Sequence, residues 1–242
     1  MPAISPVSFR ATKPWPSGRN GVLRNLGKLN FNEVINVDVN YRGVVIGTAL
    51  TRLAGRTFTS AAFIAGPTNA SLQPMFPGYA GSTAAFRMNT FADVVGLDFP
   101  TGGGMGRFVT RGGDTTLPGT REYVDSLLWP EEINDWGDIA GIKYPIQIST
   151  NTTQASHVFT YAPYGGTDLP KTVSEETTGT YAGVFALNGR GQALCYVDGY
   201  FLYQSGALKK LDDLIPPNSG WQQLVGADLN DNGGIVDSGI YN

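Results

Sequence analysis

The feature that most constrains this chain is an asparagine-centred block that recurs five times along its 242 residues. Each copy is built on an apolar residue, Asn, two variable residues, a turn residue and a second apolar segment. It reads Val39-Asn40-Tyr41-Arg42-Gly43-Val44-Val45-Ile46-Gly47, then Met88-Asn89-Thr90-Phe91-Ala92-Asp93-Val94-Val95-Gly96, then Ile133-Asn134-Asp135-Trp136-Gly137-Asp138-Ile139-Ala140-Gly141. The last two copies are Leu187 to Cys195 and Leu229 to Asp237. The asparagines stand at 40, 89, 134, 188 and 230, at spacings of 49, 45, 54 and 42. A period in this range implies a repeat architecture, in which one supersecondary unit buries its apolar face only against its neighbours.

The block has hairpin chemistry: Asn starts a turn by bonding its own backbone, and Gly accepts the positive φ that closes a short loop. The predicted turn residues are Asn40, Gly43, Asn89, Asn134, Gly137, Asn188, Gly191, Asn230 and Gly233. Ala92 stands where the second copy should have Gly, and Cys195 ends the fourth copy where three others have Gly. A second block places an aromatic inside a short strand at Phe9, Phe63, Phe108, Phe159 and Phe201. A third, clearest in Gly21 to Leu26 and Gly206 to Leu211, reads as a Leu-bearing strand. Leu208, Leu211 and Leu214 at spacing three would alone suggest a short helix, but the match to residues 21 to 26 favours a strand.

Each repeat therefore supplies four short strands, the pattern of a propeller blade. The chain begins with the third and fourth strands of a repeat and ends with the first and second. The expectation is one all-β domain over residues 1–242, a five-bladed β-propeller of about 48 residues per repeat. Its ring would be closed, velcro fashion, by pairing residues 225–240 with residues 6–27.

Composition narrows the function classes. Charged residues make up 15% of the chain, against a typical ~25%, which argues against a helical bundle or coiled coil. A net charge of -3 with no basic block makes nucleic acid a poor partner. One cysteine, Cys195, and one histidine, His157, exclude an internal disulfide and a multi-histidine or cysteine-rich metal centre. No cofactor or metal is expected. Residues 1–20 hold no apolar core of signal-peptide length, and no apolar run approaches membrane-spanning length.

The repeat resembles the bacterial HAF-type extracellular repeat, an aromatic strand, then Gly-Val-x-x-Leu-Gly, then Ala-x-x-Ile-Asn-x-x-Gly-x-Val-Val-Gly. The match lies in Val22 to Leu26 with Gly27, Ala84 to Gly96, Ile133 to Gly141, and Phe185 to Leu194. That resemblance implies an extracellular or cell-surface propeller. The repeat count also resembles five-bladed lectins of the tachylectin type by analogy, without their sugar-binding motifs.

On this reading the chain is a non-enzymatic binding module, lectin-like, for a carbohydrate or protein ligand. The alternatives are a structural or assembly protein of a surface layer or virion and, third, a propeller glycoside hydrolase using carboxylates such as Asp38, Asp93 and Asp138. The partner expectations are no nucleic acid, no membrane span, and a chain compatible with self-association. The long connections opposite the asparagine turns are the expected binding face. Phe31, Tyr79, Tyr123 and Trp221 are the candidate stacking rings, with Asn32, Asn218 and Gln222 as hydrogen-bonding groups. The asparagine-turn face is expected to be plain.

Overall fold

A computed structural model of the chain describes residues 8–9, 24–26, 33–52, 58–67, 71–99, 101, 106–110, 126–145, 157–161, 171–172, 182–205 and 207–241. Among these the fold is all-β, in consecutive antiparallel sheets, each made from one stretch of chain. β1 (Ser8–Phe9) pairs with β2 (Arg24–Asn25). The first full sheet orders β3 (Glu33–Val39), β4 (Val45–Arg52), β5 (Phe58–Ala65) and β6 (Gln73–Pro74) side by side. The next holds β7 (Ser82–Met88), β8 (Val94–Phe99) and β9 (Gly106–Thr110). β10 (Ser126–Ile133), β11 (Ile139–Pro145), β12 (His157–Tyr161) and β13 (Lys171–Thr172) form the third. β14 (Ala182–Leu187), β15 (Ala193–Val197), β16 (Tyr200–Gln204) and β17 (Ala207–Lys210) form the fourth. The hairpin β18 (Trp221–Leu229) and β19 (Ile235–Tyr241) ends the chain.

The sheets stack face to face in chain order: β4 and β5 on β7, β8 on β10, β10 and β11 on β14, and β14 and β15 on β18. A strand covered on both faces must be apolar throughout rather than alternating. Accordingly β8, with the sequence VVGLDF, is buried from Val94 to Asp98. Close stacking also demands glycine where strands cross. A Cβ on Gly47 would overlap the Asn36 carbonyl, and one on Gly141 would overlap the Trp129 carbonyl and lie 2.9 Å from Pro130 Cα.

Every first-to-second strand pair carries a β-bulge, at Ile35, Phe86, Glu131, Phe185 and Ala227. A bulge leaves backbone groups without ladder partners, and beside Phe86 and Phe185 side chains of the preceding repeat take them up. Asn36 Nδ2 donates to the Ala85 and Phe86 carbonyls at 3.1 and 3.3 Å. Thr48 Oγ1 donates to the Ala85 carbonyl at 3.0 Å and accepts from its N–H at 2.9 Å. Glu131 Oε2 accepts from Val184 N–H at 2.5 Å. These buried links tie repeat to repeat with a polar specificity that apolar contact alone lacks.

One expectation is corrected here. The closed five-bladed propeller is not formed: no sheet closes or curls into a ring, and no strand pairing joins β18–β19 to β1–β2 among the described residues. The physical reason is that the stack grows by nearest-neighbour burial, which propagates repeat by repeat but does not oblige the two ends to meet. Val39 is 60% and Val236 66% exposed, whereas Val45, Ala49 and Phe63 of the first full sheet are buried beside Leu26. The Leu-bearing strand expected over Gly206 to Leu211 is formed as β17. It stops at Lys210 and the chain turns into a single 3-10 turn over Leu211–Leu214, with Leu211 buried in the core.

Candidate functional site

All five asparagine turns lie between the first and second strands of their repeats, and they are joined into a ladder. In each, Oδ1 accepts two backbone N–H groups of its own turn. Asn134, for example, accepts from Trp136 at 3.0 Å and Asp138 at 2.9 Å. The equivalent pairs are Arg42 and Val44 on Asn40, Phe91 and Asp93 on Asn89, Arg190 and Gln192 on Asn188, and Asn232 and Gly234 on Asn230. Each turn closes through a left-handed residue: Gly43, Gly137, Gly191 and Gly233 have φ between 71 and 83°, and Ala92 takes the same conformation at 66°.

The amide nitrogen of each asparagine then reaches the next repeat. Asn40 Nδ2 donates to the Asn89 carbonyl at 3.3 Å, Asn89 to Asn134 at 3.1 Å, Asn134 to Asn188 at 3.0 Å, and Asn188 to Asn230 at 3.0 Å. Second acceptors within the turns, Asp93, Asp138 and Gln192, complete the amides of Asn89, Asn134 and Asn188. Asp38 accepts from Val39 and Met88 N–H groups. Asp38, Asp93 and Asp138 therefore serve turns and repeat junctions, and the glycoside hydrolase expectation, which also presumed the propeller channel, is withdrawn.

The turns surround a cavity of about 290 Å³ lined by residues of all five repeats, among them Tyr41, Thr90, Asp135, Gly189 and Asp231. These occupy one equivalent position, directly after each asparagine. Asp135 Oδ1 accepts from Thr90 N–H at 2.8 Å and Asp231 Oδ1 from Gly189 N–H at 2.7 Å. The other oxygen of each carboxylate has no hydrogen-bond partner among the described residues. Gly189 keeps the wall open here, because a Cβ would lie 3.1 Å from Asp231 Oδ1 and 3.7 Å from Trp136 Nε1. Around the mouth Tyr41, Phe91 and Trp136 are exposed. Arg42 lies over the Tyr41 and Phe91 rings at 5.6 and 5.5 Å, so its charge is already engaged. The asparagine-turn face, expected to be plain, thus carries a concavity.

A second polar cluster lies inside the stack. Arg87 Nε donates to Glu132 Oε1 at 2.8 Å, and Glu131 lies beside them at the repeat junction. Burial pushes both carboxyls up to about 7, against the opposing pull of the Val184 N–H and Arg87 on Glu131 and of Arg87 on Glu132. Phe86 stacks on Trp129 at 5.1 Å in the same junction. The contacts describe fastening between repeats rather than an open reaction site.

Of the ring set selected from sequence, Phe31, Asn32 and Tyr123 lie outside the described residues. Tyr79 is half-buried against the core of the first two repeats, and its hydroxyl donates to Asp98 Oδ2 at 2.8 Å. Trp221, Asn218 and Gln222 are exposed at the last hairpin, where Trp221 meets Tyr241 edge-on at 5.4 Å. Tyr79 and Trp221 therefore belong to opposite parts of the stack. Sequence reasoning missed Asp135 and Asp231 as a set because the position after each asparagine carries Tyr, Thr, Asp, Gly and Asp, with no shared type. The repeat register itself was the available signal.

No family model matches the chain, and no curated protein matches it significantly. The resemblance to HAF-type extracellular repeats is accordingly not upheld, nor is the lectin-like propeller analogy drawn from it, because the sheets do not form the ring that both imply. The propeller-based functional readings, including a surface-layer or virion assembly protein, lose that scaffold with it. Among the described residues no helix is long and apolar enough to cross a membrane.

Proposed function

We propose that this chain is a recognition module whose asparagine-turn end binds a basic side chain, lysine or arginine, presented by a protein partner. The observation that carries this reading is the cavity shared by all five turns, with two carboxylates in its wall that each keep one oxygen uncommitted. The amides of Asn40, Asn89, Asn134 and Asn188 are spent on the ladder, while Asp135 and Asp231 each add a carboxylate to the wall. An organic cation is the complementary ligand, through charge-assisted hydrogen bonds. Its volume is just under the roughly 300–1,000 Å³ of small-molecule clefts, which suits a single inserted side chain. Exposed Tyr41, Phe91 and Trp136 give the rim an aromatic surface of the kind enriched in protein interfaces.

The test is calorimetric titration with short peptides bearing a central Lys or Arg, their norleucine and citrulline counterparts, and methyl glycosides. Asp135→Asn and Asp231→Asn keep an oxygen for the Thr90 and Gly189 N–H groups and remove only the charge. Binding of the basic peptides, weakened about tenfold or more by either substitution and by raised salt, is the expected result. Equal binding of Lys and norleucine peptides, or binding of the glycosides alone, would overturn it.

A further inference from the structure

We infer that the cavity at the asparagine turns selects an unmodified lysine over arginine and over trimethyl-lysine, with Arg42 at its rim setting the preference; this rests on the cation-binding reading above and narrows it. The first ground is the state of the two carboxylates. Asp135 Oδ1 already holds Thr90 N–H at 2.8 Å, and Asp231 Oδ1 already holds Gly189 N–H at 2.7 Å. Each acid therefore offers one oxygen without a partner among the described residues, and the two acids come from different repeats lining one cavity. Arginine gains most from a carboxylate when its planar fork meets both oxygens of one group side by side. Neither Asp135 nor Asp231 presents such a pair. A lysine ammonium carries three donors that point in different directions, so it is the head group suited to single oxygens on separate residues.

The second ground is Arg42. Its Cζ lies 5.6 Å from the Tyr41 ring centroid and 5.5 Å from that of Phe91, and its Nε donates to the Tyr41 hydroxyl at 3.1 Å. Tyr41 itself lines the cavity. Guanidinium and methylated ammonium groups draw extra affinity from aromatic faces. Here the chain's own guanidinium is seated on both rings, so an arriving arginine or trimethyl-lysine meets that contact already made. Trp136 stands further out, 74% exposed and outside the cavity lining, and a single ring does not enclose a methylammonium. Trimethyl-lysine also lacks an N–H to give the two carboxylate oxygens.

The third ground is the apolar part of the lining. Met88, Ile133 and Leu187, each one residue before an asparagine, share the cavity with the two acids. Apolar walls beside single carboxylate oxygens suit an aliphatic stem with a compact charged tip. The same chemistry makes binding sensitive to modification of the partner. Acetylation removes the charge and trimethylation removes the donors, so either change releases the lysine.

The test is calorimetric titration of the wild-type chain and of Arg42→Ala with one short peptide carrying lysine, arginine, acetyl-lysine or trimethyl-lysine at its centre. Arg42 is exposed, and a circular-dichroism melt checks that the variant keeps the fold. The wild type should bind the lysine peptide about tenfold or more tighter than each of the other three, the effect of forfeiting one charge-assisted hydrogen bond. In Arg42→Ala the ratios of lysine to arginine affinity and of lysine to trimethyl-lysine affinity should both shrink, because the two rings become available. Loss of the Arg42 charge strengthens the binding of every cation alike and so cancels from these ratios. Equal wild-type affinity for the lysine and arginine peptides would overturn the inference and leave the cation-binding reading standing, whereas binding of neither would overturn both. Unchanged ratios in Arg42→Ala would overturn the role given to Arg42.

Discussion

Asn134→Ala removes one of the four buried side chains that each make four hydrogen bonds in the ladder. Four hydrogen bonds are lost: two accepted from the Trp136 and Asp138 N–H groups, and two donated, to Asp138 Oδ2 at 2.9 Å and to the Asn188 carbonyl at 3.0 Å. Asn134 is 4% exposed, so water cannot freely replace them. At a net worth of about 1 kcal/mol each, the loss is about 4 kcal/mol. That is a large fraction of the roughly 5–15 kcal/mol that holds a domain folded. For a chain of this size it corresponds to a fall in Tm of about 8–16 °C. Asn230→Ala is the internal control, since it forfeits only two bonds, at an exposed turn, and should cost about 1 kcal/mol. Asn134→Asp keeps the acceptor but sets a carboxylate against Asp138, so it should fare no better than alanine. Urea denaturation of the three variants, with the slopes checked for equality, supplies the comparison. If Asn134→Ala and Asn230→Ala cost the same within error, the inter-repeat ladder contributes nothing and the reasoning fails.

Gly141→Ala should destabilise by about 3 kcal/mol, or prevent folding, because its Cβ meets Trp129 and Pro130 backbone, whereas Gly183→Ala, with open space around it, should be near neutral by the same denaturation assay. Burial raises Glu131 and Glu132 from ordinary carboxylate values to about 7 in the fold, so the folded state binds more protons than the unfolded chain in between. Their contribution to stability is therefore fully present below about pH 4.5 and is lost as pH rises through about 7. Thermal melts of wild type against Glu131→Gln and Glu132→Gln should show a pH 5-to-8 decline that each substitution flattens, and an unchanged decline would refute the assignment. Burial pushes the Cys195 thiol up to about 12, so it should resist thiol reagents in the native protein and react at full stoichiometry in denaturant.

The hairpins were legible in the sequence because their chemistry is local. An asparagine oxygen reaching N–H groups two and four residues on, and a glycine taking positive φ, depend on nothing beyond the turn, and so the blocks at 40, 89, 134, 188 and 230 mark five strand pairs. The aromatic blocks likewise mark third strands, as at Phe63 in β5 and Phe201 in β16. The bulges escaped notice because these strands are covered on both faces and carry no clean alternation whose phase shift would mark the extra residue. Their effect appears only when Asn36, Thr48 and Glu131 of one repeat supply the partners that a neighbour lacks. The cavity escaped for the same reason: Asp135 and Asp231 are 96 positions apart and become one wall only when the turns stack.

The unit, its period and its turn were readable from residue types, since these follow from backbone torsions and short-range hydrogen bonds. How the units pack on one another was not. A repeat states what its neighbour must look like, so the half-units at the two ends of the chain read as a matched pair. How neighbouring units pack depends on bulges, glycine contacts and side chains that the period does not reveal. Here Val39 and Val236 remain exposed while their equivalents are mostly buried, and no strand pairing joins β18–β19 to β1–β2 among the described residues.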